Sequence, residues 1–140
     1  MTQESDTQSS DSKAVPASGD ETVLASVRKF QKELSAGIVS LALLSLMAKA
    51  KEPLYGYQIA KQLEGYGGGL PVKQGTLYPV LRSLEGGGLL VSTVEPSISG
   101  PPRRYYLITE EGRRAVALWR ESWIKTRDFV EAVVLEDHRG

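Results

Sequence analysis

The side chains best suited to recognising another molecule lie between Lys73 and Glu85. Leu77, Val80, Leu81 and Leu84 recur at i, i+3, i+4 and i+7, the single apolar stripe of an amphipathic helix. Opposite that stripe stand Gly75, Pro79, Arg82 and Gly86, flanked by Thr76, Tyr78 and Ser83. An ordinary solvated face would carry Glu and Lys. This one is small, almost uncharged and rich in hydrogen-bonding groups, so the chemistry on offer is contact with a surface laid against it. A DNA groove fits. Gln74, Thr76, Tyr78 and Arg82 would read base edges by hydrogen bonds and by apolar contact with thymine methyls. Lys73 and the helix N-terminus would hold phosphates.

Other chemistry is poorly represented. The chain has no cysteine, which excludes disulfides, zinc–cysteine sites and thiol nucleophiles. Its one histidine, His138, lies near the C-terminus and reads as solvated. No nucleophile is paired with a base and no carboxylate pair sits in a recognisable pocket motif. Gly67, Gly68 and Gly69 lack the spacing and the strand–loop–helix setting of a nucleotide fingerprint. Neither an enzyme, a metal site nor a cofactor is expected. The formal net charge is +0, but residues 49–114 hold nine Lys/Arg against six Asp/Glu. That mild excess is far below that of a nonspecific nucleic-acid binder.

The elements that would position the Lys73–Glu85 helix can be taken in chain order. Residues 1–20 are rich in Ser, Asp, Gln and Thr and read as a disordered tail. From Glu21, the spacing of Val23, Val27, Phe30 and Leu34 predicts an amphipathic helix, with Arg28, Lys29 and Lys32 on its polar side. It would cover the domain, meet a partner subunit or brush phosphates. Leu34–Ala48 is apolar almost all round, as in a buried helix, and Pro53 ends it. This uncharged stretch is shorter than the roughly 17–25 residues that span a bilayer. With no signal peptide pattern in front of it, a soluble cytoplasmic protein is expected. Gly56–Glu64 gives a short helix with Ile59, Ala60 and Leu63 inward, broken by Gly65–Gly69. A short second helix before an amphipathic third suggests a helix-turn-helix. Pro79 places the start of the third helix close to it, with Thr76 or Gly75 as N-cap, and Gly86–Gly88 close it.

Two extended runs follow, Leu89–Val94 and Arg103–Ile108, joined by a loop too long for a tight turn. Such a hairpin after a helix-turn-helix is a wing, and Arg103 and Arg104 at its base would add phosphate contacts. Thr109 caps a last helix running to near Leu135, with Glu110 and Glu111 complementing its dipole. Val116, Trp119, Trp123, Thr126, Val130 and Val133 are spaced 3, 4, 3, 4, 3, a heptad seam that predicts dimerisation; the alternative for the two tryptophans, one turn apart, is domain core. Trp119, Trp123 and Phe129 would line an interface site for a flat aromatic or cationic effector.

These blocks resemble a known family. Gly56-Tyr57-Gln58-Ile59 is similar to the start of the second helix in PadR-type transcriptional regulators, and Gly75-Thr76-Leu77-Tyr78-Pro79-Val80-Leu81 with Leu84-Glu85 to their recognition helix. Gly100-Pro101-Pro102-Arg103-Arg104-Tyr105-Tyr106, then Thr109-Glu110-Glu111-Gly112, resembles their wing and the start of their last helix. The resemblance covers about Leu34–Arg114 and implies a homodimeric winged-helix DNA-binding protein, commonly a repressor, in many members responsive to a small molecule. The members with a single C-terminal helix are the nearer comparison. This chain departs at Gly86-Gly87, where charged residues are usual, and at Leu107, where a polar one is frequent.

The expected architecture is mainly α with a small β-hairpin, in the α+β class. It comprises a tail (1–20), a winged-helix domain (21–109) and a C-terminal dimerisation helix (110–136). A pseudo-palindromic operator on double-stranded DNA is the expected partner. The competing reading keeps the fold but makes it a protein-binding module; it lacks the apolar patch on the third helix that such a module needs.

Overall fold

A computed structural model of the chain describes residues 15–67 and 73–136, with side chains from residue 19 onward. The elements run α1 (Val15–Lys49), β1 (Leu54–Tyr55), α2 (Gly56–Glu64), α3 (Gln74–Gly86), β2 (Leu90–Glu95), β3 (Arg103–Ile108) and α4 (Glu110–Val134). The chain divides into two compact units, Met1–Gly37 and Ile38–Gly140.

In the first unit the described residues are all helical. Helix α1 begins at Val15, inside the segment expected to be unstructured, while residues 1–14 lie outside the described ones. Pro16 stands in the first turn, where a missing N–H costs no helical bond. Val23, Leu24, Val27, Phe30 and Leu34 are all exposed in this unit.

The two helical patterns anticipated before and after Leu34 are one helix. No proline interrupts them, and Gly37 has open space around its α-carbon, so it costs only about 1 kcal/mol against alanine. Over Gly19–Lys49 this longer helix reaches the length of a membrane span, and an 18-residue window within it has the composition of one, with mean hydropathy 1.2; the uncharged stretch by itself was too short. Its apolar end is nonetheless core. Val39, Leu43, Leu44, Leu46 and Met47 are buried against Leu54, Ile59, Leu77, Leu81, Leu84, Leu90, Tyr106, Ile108 and Val116.

The second unit closes around that core. The sheet is antiparallel in the order β1-β3-β2, with Leu54 opposite Tyr106 and Leu90 opposite Ile108. Strand β1 was not anticipated, because two residues are too few to show an alternation. Helix α2 opens where the Tyr55 N–H donates to Gln58 Oε1 at 3.1 Å, and it turns Ile59 fully inward. The hairpin of β2 and β3 falls within one residue of its expected bounds.

Helix α4 is fixed at its start. The N–H of Gly112 donates to Thr109 Oγ1, and that hydroxyl donates in turn to the Gly88 carbonyl at 2.7 Å. Thr109 thereby joins the cap of α4 to the end of α3. Arg113 Nη1 adds a bond to the Ala48 carbonyl at 3.2 Å. Gly112 packs so closely that a β-carbon there would collide with the Leu89 carbonyl.

A candidate nucleic-acid interface on α3 and the wing

The helix expected to do the recognising presents the two faces its sequence encodes. Leu77 and Leu81 are fully buried and Leu84 nearly so, while Val80 packs partly against the core. Lys73, Gln74, Gly75, Thr76, Tyr78, Pro79, Arg82 and Ser83 are all exposed. One face of α3 is therefore anchored and the other open to a ligand.

Its first turn begins earlier than expected. Neither Thr76 nor Gly75 is the N-cap. Lys73 is, because its carbonyl accepts from the N–H groups of Thr76 at 2.9 Å and Leu77 at 3.1 Å. Pro79 consequently lies inside the helix, and the Gly75 carbonyl loses the N–H that would normally reach it from four residues on. The donors open at this helix start are those of Gln74 and Gly75, since Thr76 and Leu77 are already engaged.

Tyr78 is 41% exposed, and its ring also lies across Gly56: a β-carbon on that glycine would come 2.7 Å from Tyr78 Cε1. The side chain expected to read bases therefore also joins α3 to α2. At the far end α3 closes on a Schellman arrangement. The N–H of Leu89 reaches the Leu84 carbonyl, that of Gly88 reaches Glu85, and Gly88 takes φ +83.

The two arginines of the wing are adjacent in β3 and so project to opposite faces of it. On one side Arg103 lies over the Tyr55 ring at 4.4 Å, and that ring meets Tyr105 edge-on at 5.3 Å. On the other, Arg104 Nη1 donates to Ser92 Oγ at 3.0 Å, and Ser92 donates to Glu85 Oε2 at 2.7 Å. Both arginines remain exposed. The loop between the strands holds no Lys or Arg, and the wing's positive charge lies beside it, at the loop end of the hairpin and not at the base expected: Arg103 stands opposite Glu95 and Arg104 opposite Val94, while Leu90 and Ile108 form the base. Tyr106 is 3% exposed, and burial, with the Glu85 carboxylate adding to it, pushes its phenol above the ordinary value of 10.0.

Sequence reasoning passed over Ser92, Glu85 and Tyr55. A usable signal existed for Ser92: in β2 it shares the parity of buried Leu90, a polar residue at a core-facing position. Also unforeseen is an apolar recess of about 270 Å³ lined by Ile38, Val39, Ala42, Leu46, Leu63 and Tyr66, with Lys49 Nζ 5.6 Å from the Tyr66 ring centre. Among the described residues no group of three His, Cys, Asp or Glu side chains is placed to hold a metal.

The seam on α4 divides. Val116 is 4% exposed and Trp119 packs against the core, so neither forms the open seam expected of them; the first turns of α4 lie on the domain and use them there. Beyond them Trp123 (38%), Val130 (44%), Val133 (60%) and Phe129 (69%) are exposed, and no side chain from 120 to 134 is buried.

Comparison with known proteins bears on this geometry. A search of curated proteins finds no match. A PadR family regulator from Eggerthella lenta is 32% identical, with 84% of this chain and 96% of that chain covered at a TM-score of 0.65. A transcriptional regulator from Clostridium thermocellum is 28% identical over 73% of this chain and 95% of its own, with a TM-score of 0.63. A PadR-like regulator from Bacillus cereus is 26% identical over 73% and 96%, at 0.58. The model of the transcriptional regulator PadR-like family matches residues 43–118, a span from the core of α1 through the wing to the first turns of α4, and the chain belongs to that family.

Proposed function

We propose that the chain is a homodimeric, sequence-specific repressor acting on DNA in the cytoplasm. Its two α3 helices would enter the major groove of a pseudo-palindromic operator. The observation that carries this reading is the outer face of α3, where Gln74, Gly75, Thr76, Tyr78, Pro79 and Arg82 stand exposed on a helix whose other face is buried. Gln74, Thr76, Tyr78 and Arg82 contact base edges, while Gly75 and Pro79 keep the surface low enough for close approach. Lys73, Arg103 and Arg104 meet phosphates and set the register.

Two tests bear on it. Selecting bound duplexes from a random pool should enrich a palindrome; no enrichment would favour the rival reading, a protein-binding module. Replacing Arg103 and Arg104 with alanine should then lower the slope of log affinity against log salt by about one unit per arginine. An unaltered slope would remove the wing from the contact surface.

Dimerisation is supported by the exposed apolar residues of α4, Trp123, Ile124, Val130, Val133 and Val134, and further surface is offered by Val23, Val27 and Phe30 of α1. Trp123 and Phe129, with Trp119 at the edge of the core, would line a site for a flat aromatic or cationic effector. Quenching or shift of tryptophan emission on titration with such compounds is the expected sign. No response across a broad set would count against effector control.

A further inference from the structure

The hydroxyl of Ser92 stands between two charged side chains from different elements. Its oxygen is 2.7 Å from Glu85 Oε2, in the last turn of α3, and 3.0 Å from Arg104 Nη1, on β3. Chemistry fixes the direction of both bonds. A guanidinium offers only N–H donors and an ionised carboxylate only acceptors, so Ser92 accepts from Arg104 and donates to Glu85. Both bonds are charge-assisted, and each polarises the hydroxyl in the sense the other requires.

The backbone holds this bridge at a defined place. Ser92 is opposite Tyr106 in the ladder, and Tyr106 is packed in the core. Glu85 is partly buried between Leu84 and the Schellman turn. Only Arg104 reaches from this frame into solvent. An exposed arginine ordinarily samples many rotamers, and fixing it during binding subtracts from whatever contact it makes. Here the restriction is already present before any ligand arrives.

We propose that Ser92 is a positioning residue for DNA binding: it ties Arg104 to the end of α3, so the wing's charge meets the phosphate backbone at a preset distance from the base-reading face. The proposal rests on the reading that α3 and Arg104 face the same duplex. Ser92 itself need not touch DNA. Its contribution is to convert a mobile charge into a fixed one, which favours the correctly registered complex and leaves nonspecific attraction unchanged.

The test uses the full chain and a duplex enriched from a random pool by that chain, beside a scrambled duplex of equal length, over a range of salt. Ser92→Ala should lose about tenfold on the enriched duplex, the scale of one charge-assisted hydrogen bond, with its salt slope on the scrambled duplex unchanged. Ser92→Thr, which keeps the hydroxyl on a residue suited to a strand, should restore binding. Arg104→Ala should instead lower the slope by about one on both duplexes. In that background Ser92→Ala should cost nothing further. Glu85→Gln, which keeps an acceptor without the charge, should lose less than Ser92→Ala, and it serves as the probe if the alanine variant fails to fold. Wild-type binding by Ser92→Ala would overturn the proposal. So would a loss that persists undiminished once Arg104 is gone, since Ser92 would then act through the fold. Failure of the unaltered chain to enrich any duplex would overturn the DNA reading first, and the proposal with it.

Discussion

Gly86, Gly87 and Gly88 stand in a row, yet the helix end does not ask the same of each. Gly88 sits at φ +83, where an L side chain is strained, and its N–H and that of Leu89 close the Schellman turn. Gly86 is the last helical residue, with ordinary helical backbone and no atom near the place of a β-carbon. Alanine at the two positions should therefore act with opposite sign. Gly88→Ala is expected to destabilise by about 1–2 kcal/mol. Gly86→Ala should stabilise by about 0.5–1 kcal/mol by narrowing the unfolded ensemble. Thermal unfolding of both variants checks this, the two melting temperatures moving to opposite sides of the parent. At this scale the sequence was legible at Thr109, whose hydroxyl and position both say N-cap. It misled at Thr76, where the same reasoning applies. There the burial of Leu77 at 0% holds the fourth helical residue in phase and extends the helix back to Lys73, at the cost of one bond lost to Pro79.

Periodicity located α2, α3, the wing and α4 because each has a face to bury and an end marked by glycine, proline or a capping residue. It missed β1, whose two residues owe their state entirely to Tyr105 and Tyr106 opposite. It also split α1, since a change from amphipathic to all-round apolar character looks like a boundary but contains nothing that ends a helix. The seam on α4 was legible as spacing and not as partner: intramolecular packing of Val116 and Trp119 has the same period as packing on a second copy. What distinguishes the remainder is exposure. Trp123 is 38% exposed and lies past the last core contact of α4, so a charge there should spare the fold. Trp123→Glu is expected to give a folded monomer, with the parent's circular dichroism and half its mass by light scattering. A dimer that survives would move the interface to the exposed residues of α1, where Phe30→Glu is the equivalent probe.

For the whole molecule, the balance of charge decides how binding must be achieved. With seventeen basic and seventeen acidic residues, the chain gains little from long-range attraction to DNA. The wing loop carries no basic residue, and the two arginines beside it are held in place, one over an aromatic ring and one by a serine, so the wing offers few charges at fixed positions. On the proposed reading, affinity comes from a few placed phosphate contacts and from base-edge contacts made twice, by two copies whose separation is fixed. A symmetric dimer with one recognition helix per subunit spans half-sites about one helical turn, or ~34 Å, apart. Inserting about five base pairs between the half-sites of an enriched palindrome rotates one of them to the opposite side of the duplex. Binding should fall toward the level of a scrambled duplex, a loss of about 10³-fold or more. Deleting one half-site entirely should do much the same, because the second copy then contributes only phosphate contacts. A dimer joined through a compliant α4 would tolerate the insertion, so gel-shift titration of the two spacings separates a rigid seam from a flexible tether.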